Sequence, residues 1–250
     1  MKLKKKTAIV TGGGSGIGKA IALALANEGV LVAVGDRDLP AAESVAKEIC
    51  QKSGEAISVF VDLISVEQIN SMVKDLLKRW GKIDILINCA GATRILPFME
   101  SNEKMWNLLI DVNLKGTIAC CHAVLPDMIN RRYGKIILIA SDVGKVGTKN
   151  QAVYSGAKGG VISFCKALAF EMAEFNININ NICPGSIASS GYLSAKKLNP
   201  QYFDELEKMI PMKRVGKPDE IASMAVFLAS DEAGYITGQS FSVNGGFTMV

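Results

Sequence analysis

Two hydrophobic rhythms alternate along this chain. Short apolar runs occupy 7–11, 31–35, 57–61, 83–88 and 135–140, and such runs predict strands buried on both faces. Between them, 16–28, 39–52, 66–80 and 102–131 repeat apolar residues at helical spacing, the last broken around 113–116. Each interval is long enough for a helical crossover, so neighbouring strands are expected to run parallel. A further helix over 152–175 leads into a strand at 177–183, and a helix at 218–229 and a strand at 240–243 close the chain. The pattern predicts an α/β fold: one single-domain Rossmann fold spanning 1–250. Its doubly wound parallel sheet has about seven strands, with helices on both faces. The rhythm lapses only after Pro184, where Gly185, Gly191, Pro200 and several serines break it. This longest irregular stretch, about 186–212, is expected to be a substrate loop.

Composition narrows the partners. The 250 residues are 49% hydrophobic, enough for a large core, and the net charge is only +4. Lys2, Lys4, Lys5 and Lys6 account for that excess and read as a solvated tail, so no nucleic-acid partner is expected. Cys50, Cys89, Cys120, Cys121, Cys165 and Cys183 form no CxxC pair, and His122 is the only histidine, so no metal site is expected. No signal-peptide pattern opens the chain and no run of 18 apolar residues interrupts it, so no membrane partner is expected and the expected location is cytoplasmic.

The first strand runs straight into Thr11-Gly12-Gly13-Gly14-Ser15-Gly16-Ile17-Gly18 and a helix. A helix N-terminus offers free N–H groups and partial positive charge, and glycines let a pyrophosphate come close. Strand, glycines and helix in that order point to a dinucleotide. Asp36 ends the second strand, 18 positions beyond Gly18, where a carboxylate holds the adenosine ribose hydroxyls and repels a 2′-phosphate. That predicts NAD(H), although Arg37 follows and could meet a phosphate; as an alternative, Asp36 is a strand-end turn residue. Asp62 either meets the adenine or caps the helix that begins near Ser65.

Tyr154 and Lys158 lie four apart on one helix and share a face. An ammonium beside a phenol favours the phenolate, which brings tyrosine toward acid/base work. Ser141 ends the fifth strand, 13 positions earlier, where its hydroxyl can hold a substrate oxygen.

These residues resemble the short-chain dehydrogenase/reductase family across essentially the whole chain. The matching text is TGGGSGIG at 11–18, NCAG at 88–91, Asn113 in DVNLKG, Ser141, YSGAK at 154–158 and Pro184-Gly185. YITGQ at 235–239 and NGG at 244–246 also match. The resemblance implies an oxidoreductase acting on a secondary alcohol or ketone. Tyr154 would be the acid/base, Ser141 the partner of the substrate oxygen, and Lys158 a ligand of the nicotinamide ribose. Asn113 would hold a water linking Lys158 to solvent. The cofactor site would comprise Gly12, Gly14, Ser15, Gly16, Ile17, Gly18, Asp36, Arg37, Asp62, Leu63, Asn88, Ala90, Gly91, Tyr154, Lys158, Pro184, Gly185, Ile187 and Ser189. Within it, Asn88 would support a strand end and Ile187 would offer backbone groups to the carboxamide. Cys89 and Ser189 stand where the family more often has asparagine and threonine. A homotetramer is also implied, packed through 102–131 and 152–175.

The chain is most similar to the branch holding 3-oxoacyl-thioester reductases and 2-hydroxycyclohexanecarboxyl-CoA dehydrogenases. HAVLP at 122–126, IASD at 139–142, CPG at 183–185, RVGKPDE at 214–220 and the closing GGFTM carry that likeness. It suggests a small-molecule substrate, a CoA or acyl-carrier thioester among the candidates. Thr93, Arg94, Asp142, Val143, Val153, Ser186 and 190–212 are the expected substrate-lining positions, with Ser141 and Tyr154. Sugar, steroid and simple alcohol substrates would use the same catalytic residues. A non-catalytic NAD(H) sensor would have no need of Ser141, Tyr154 and Lys158 together. An epimerase or dehydratase of the extended family is disfavoured by chain length.

Overall fold

The computed structural model of the protein describes residues 3–250. Seven parallel strands form one sheet in the order β3-β2-β1-β4-β5-β6-β7. They are β1 (Thr7–Thr11), β2 (Leu31–Asp36), β3 (Glu55–Phe60), β4 (Ile85–Asn88), β5 (Gly134–Ile139), β6 (Ile177–Pro184) and β7 (Ser240–Val243). The chain winds outward from β1 to β3, returns beside β1 with β4, and then winds the other way. That reversal opens a crevice beyond the carboxyl ends of β1 and β4, where ligands of such sheets bind.

Helices α1 (Gly16–Asn27), α2 (Leu39–Gln51) and α3 (Val66–Trp80) are the first three crossovers. Asp38 caps α2 by accepting from the Ala41 N–H at 3.1 Å, and Ser65 caps α3 by accepting from Gln68 N–H at 3.2 Å. Gly81, at φ 74°, ends α3 in the left-handed turn that glycine favours. The alternation of β1 sends Val10 to one face and Ile9 to the other. Val10, Val32, Ile85 and Ile137 pack under α1, α2 and α10 (Pro218–Ala229) through Ile21, Leu25, Ile49 and Leu228. Ile9, Leu86, Ile136 and Leu138 pack under α3, α5 (Gly116–Arg131) and α7 (Ala152–Met172) through Met72, Val124 and Cys165. Each fully buried aliphatic side chain contributes about 1.5–3 kcal/mol.

Several expectations are corrected. The 57–61 run belongs to an edge strand that starts at Glu55, and its ends are exposed because β3 has a neighbour on one side only. The helix over 102–131 is interrupted as expected, into α4 (Glu103–Ile110) and α5, with the break taking the form of a π-helical turn at Asp111–Lys115. By length and composition Glu103–Arg131 could cross a membrane, yet half of its most apolar window is buried in the fold. The irregular 186–212 stretch contains two helices, α8 (Ser190–Leu198) and α9 (Pro200–Met209), capped by Ser189 and Asn199. A four-residue helix, α6 (Val143–Val146), follows β5. The basic N-terminal segment is partly packed: Leu3 is buried and Lys6 Nζ sits 3.7 Å over the Tyr133 ring. Lys2 lies outside the described residues. His122 is exposed on α5.

Candidate active site

A cleft of about 580 Å³ runs along the carboxyl ends of the strands. The turn after β1 forms one end. There Gly18 faces the Gly12 carbonyl so closely that a Cβ would lie 2.1 Å from the oxygen. The start of α1 lines the cleft with Ser15, Gly16, Ile17 and Gly18, and the Ser15 side chain caps none of its N–H groups. First-turn N–H groups have no partner within a helix, so they remain for an anion. A Cβ on Gly14 would lie 2.9 Å from Asp36 Oδ2, which accepts instead from the Gly14 N–H at 2.9 Å. Asp36 Oδ1 accepts from Asp38 N–H at 3.0 Å, so the carboxylate is fixed at the cleft edge. Asp36 thus makes the contacts of a strand-end turn residue and lines the cleft as well. This glycine-and-helix cradle with an anchored carboxylate fits a dinucleotide.

Asp62 lines the same cleft and its Oδ1 accepts from the Ile64 N–H, while the cap of α3 is Ser65. Thr11 Oγ1 accepts from the Cys89 and Ala90 N–H groups and donates to Asn88 Oδ1, which ties β1 to β4. Asn88 itself is buried and does not line the cleft. Ser189 is occupied as the α8 cap, its hydroxyl accepting from Tyr192 N–H at 3.3 Å.

At the other end stand Ser141, Tyr154 and Lys158. Ser141 and Tyr154 both line this end of the cleft, and the Ser141 hydroxyl acts on the Tyr154 phenol in the lowering direction. Lys158 is buried, donates from Nζ to the Ile139 carbonyl at 2.7 Å, and lies 6.0 Å from the Tyr154 ring centroid. Burial pushes the Lys158 ammonium down to about 8. It pushes the Tyr154 phenol up to about 12, with the Ser141 contact acting in the opposite direction. The group that lowers it is the Ser141 hydroxyl, so the expected lowering by Lys158 is not found in the ligand-free fold. Asn113 is fully buried in the π turn, where its Nδ2 donates to the carbonyls of Ala92 and Leu109, each at 2.8 Å. A Cβ on Gly91 would lie 2.9 Å from Asn113 Oδ1 and 3.6 Å from Lys158 Nζ. Glycine at 91 is what allows those two side chains to face each other.

The family model described as enoyl-(acyl carrier protein) reductase matches residues 12–248. A 3-oxoacyl-[acyl-carrier-protein] reductase from Staphylococcus epidermidis is 40% identical over 247 residues, covering 98% of this chain and 99% of that protein. One from Synechocystis sp. is 39% identical over 249 residues, covering 99% and 98%. The chain belongs to the short-chain dehydrogenase/reductase family. It is accordingly an oxidoreductase. The solved structure of gox2181 superposes with a TM-score of 0.96 at 32% identity, covering 98% of this chain and 96% of that one. A Beutenbergia cavernae protein described as an NAD(P)-dependent gluconate 5-dehydrogenase, determined with bound NADP, reaches 0.93 at 32% identity, with 98% of each chain covered.

Of the expected substrate positions in this short-chain dehydrogenase/reductase, Thr93, Val143 and Ser186 line the cleft. Arg94 and Val153 instead line a small cavity of about 10 Å³ behind Tyr154, and the Arg94 guanidinium donates to its neighbour's carbonyl. Asp142 touches the cleft, but its carboxylate accepts from Ser242 Oγ and Asn244 Nδ2 in the interior. Thr148, Gln151, Ile95 and Phe247 line the cleft and were not among the expected positions. Gln151 had a signal, as the residue just before the helix that carries Tyr154. Phe247 had none, since only the fold returns the C-terminal segment to the site.

Proposed function

We propose that this chain is an NAD(H)-dependent oxidoreductase that interconverts a secondary alcohol and a ketone, with hydroxyacyl and oxoacyl thioesters as its substrate class. The observation that carries the reading is the single cleft joining Ser141, Tyr154 and Lys158 to the glycine turn marked by Asp36. A bound nicotinamide supplies or accepts the hydride. Ser141 and Tyr154 hold the substrate oxygen between their hydroxyls, and Tyr154 delivers or removes its proton at Oη. Lys158, whose ammonium is held near 8 and lies 6.0 Å from the Tyr154 ring centroid, can give up a proton at mildly alkaline pH beside the reacting pair. Removing water around the phenol strengthens these hydrogen bonds for the developing alkoxide.

Asp36 supports NAD(H), because a 2′-phosphate would meet a carboxylate already fixed by two backbone N–H groups. The thioester class is supported by the activity for which the Staphylococcus and Synechocystis relatives are named. It is supported too by the apolar outer wall of Tyr192, Phe203, Leu206 and Phe247. A sugar-acid reading is favoured by the Beutenbergia neighbour alone. One panel decides: NADH and NADPH with acetoacetyl-CoA, a cyclic 2-oxoacyl-CoA, and 5-ketogluconate. Turnover of a thioester with at least a roughly tenfold kcat/KM preference for NADH is expected. Equal use of NADPH would defeat the Asp36 reading, and turnover of 5-ketogluconate alone would defeat the thioester reading.

A further inference from the structure

Asp142 breaks a local rule. It occupies the N-cap of α6, where an aspartate side chain ordinarily accepts from the first N–H groups of the helix, yet it makes no such bond. Its carboxylate turns the other way and is buried, 2% exposed. Oδ1 accepts from Ser242 Oγ at 2.9 Å and Oδ2 from Asn244 Nδ2 at 2.5 Å. One turn along α6, Lys145 Nζ donates to the Ser240 carbonyl, Ser242 Oγ and a Val250 oxygen, at 3.0, 2.9 and 3.2 Å. Asn244 in turn donates to the Thr248 carbonyl at 2.7 Å and accepts from the Gly246 N–H at 2.9 Å. A Cβ on Gly185 would lie 2.8 Å from the Asn244 Cβ, so the same asparagine packs against the loop after β6.

Three walls of the cleft meet at this network: Ser141 on the loop after β5, Gly185 on the loop after β6, and Phe247 on the C-terminal segment. A buried carboxylate that gives up a helix cap must be satisfied elsewhere, and here its partners all sit on the last strand and tail. We propose that Asp142 is a positioning residue that ties the Ser141 loop to the end of β7, and through Ser141 sets the hydroxyl geometry at the substrate oxygen. It touches no reacting atom. It replaces the substrate contact that the sequence suggested for this position with an internal one. The inference rests on Ser141 and Tyr154 being the reacting pair.

A double-mutant cycle on the full-length enzyme tests it, using the ketone of the panel above that turns over fastest, acetoacetyl-CoA first. Asp142→Asn removes the charge and leaves one acceptor oxygen for the two donors, Ser242 Oγ and Asn244 Nδ2, so one of the two bonds is lost with almost no change of volume. In the Ser141 background it is expected to lower kcat roughly tenfold, with cofactor Kd unchanged. In the Ser141→Ala background the same change is expected to cost less than about twofold, because no hydroxyl remains to be misplaced. Equal losses in both backgrounds, no loss in either, or a rise in substrate KM with kcat intact would each overturn the proposal. Ser242→Ala removes one of the two bonds more gently and is carried through the same cycle should Asp142→Asn misfold, with roughly a threefold loss expected in the Ser141 background only. Tyr154→Phe separates the two readings: if it keeps full activity, the reacting pair itself is wrong.

Discussion

Lys158→Met should match or slightly exceed the wild type in ligand-free stability at neutral pH and fall behind it in alkali. Lys158 is 4% exposed, and burial brings its ammonium from 10.5 down to about 8. A basic group with a depressed folded-state pKa leaves the unfolded chain holding more protons between pH 8 and 10.5, so wild-type stability rises with pH across that window. Burying the charge therefore costs the fold about 3 kcal/mol at pH 7 and about 1 kcal/mol at pH 10. Methionine has similar length and no charge, so it escapes that term at every pH. It also forfeits the 2.7 Å hydrogen bond to the Ile139 carbonyl, a loss of about 1–3 kcal/mol that does not vary with pH. The sum at pH 7 lies near zero or slightly favours methionine. The difference between variant and wild type is the sharper quantity, because the hydrogen-bond term cancels between two pH values. Equilibrium urea unfolding of both proteins at pH 7 and pH 10 should show the relative stability of Lys158→Met falling by about 2–3 kcal/mol, while its turnover is lost throughout. A relative stability that stays constant within about 0.5 kcal/mol would refute the buried-charge account of Lys158.

Tyr154→Phe should lower kcat by roughly 10²–10⁴ while NADH binding, followed by fluorescence titration, stays nearly intact, because the ring remains and only the proton donor is lost. Asp36→Ala frees the Gly14 N–H and removes the fixed carboxylate, so the NADPH-to-NADH efficiency ratio should rise at least about tenfold in steady-state assays; an unchanged ratio would assign selectivity to Arg37. Assembly into a homotetramer is proposed from the family resemblance, with Ile110, Ile118 and Phe170 as exposed apolar groups on the helical faces. Light scattering at micromolar concentration should then give about four times the 26.7 kDa chain, and a stable monomer would reject it.

Local chemistry made much of this protein legible in its sequence. Each core strand is a run that can be satisfied only between two covering layers, and the crossover helices α2 and α3 carry their own caps, Asp38 and Ser65. The glycine turn, Asp36, and the four-residue step from Tyr154 to Lys158 are likewise written in neighbouring residues, because they depend on backbone conformation and helical periodicity. The helices at Ser190–Leu198 and Pro200–Met209 were not legible as such. Glycine, proline and serine signal a break there, but Ser189 and Asn199 act as caps and Tyr192 and Phe203 pack edge to face across the pair. Long-range partners decided the rest. Burial by the whole fold, not proximity in sequence, moves Lys158 and Tyr154 away from their ordinary pKa values. Asp142 meets Ser242 and Asn244 across about one hundred residues of chain, so its side chain had no local cue to abandon the cap of α6. Sequence spacing encodes what the backbone alone can hold, and tertiary packing chose which buried polar groups meet.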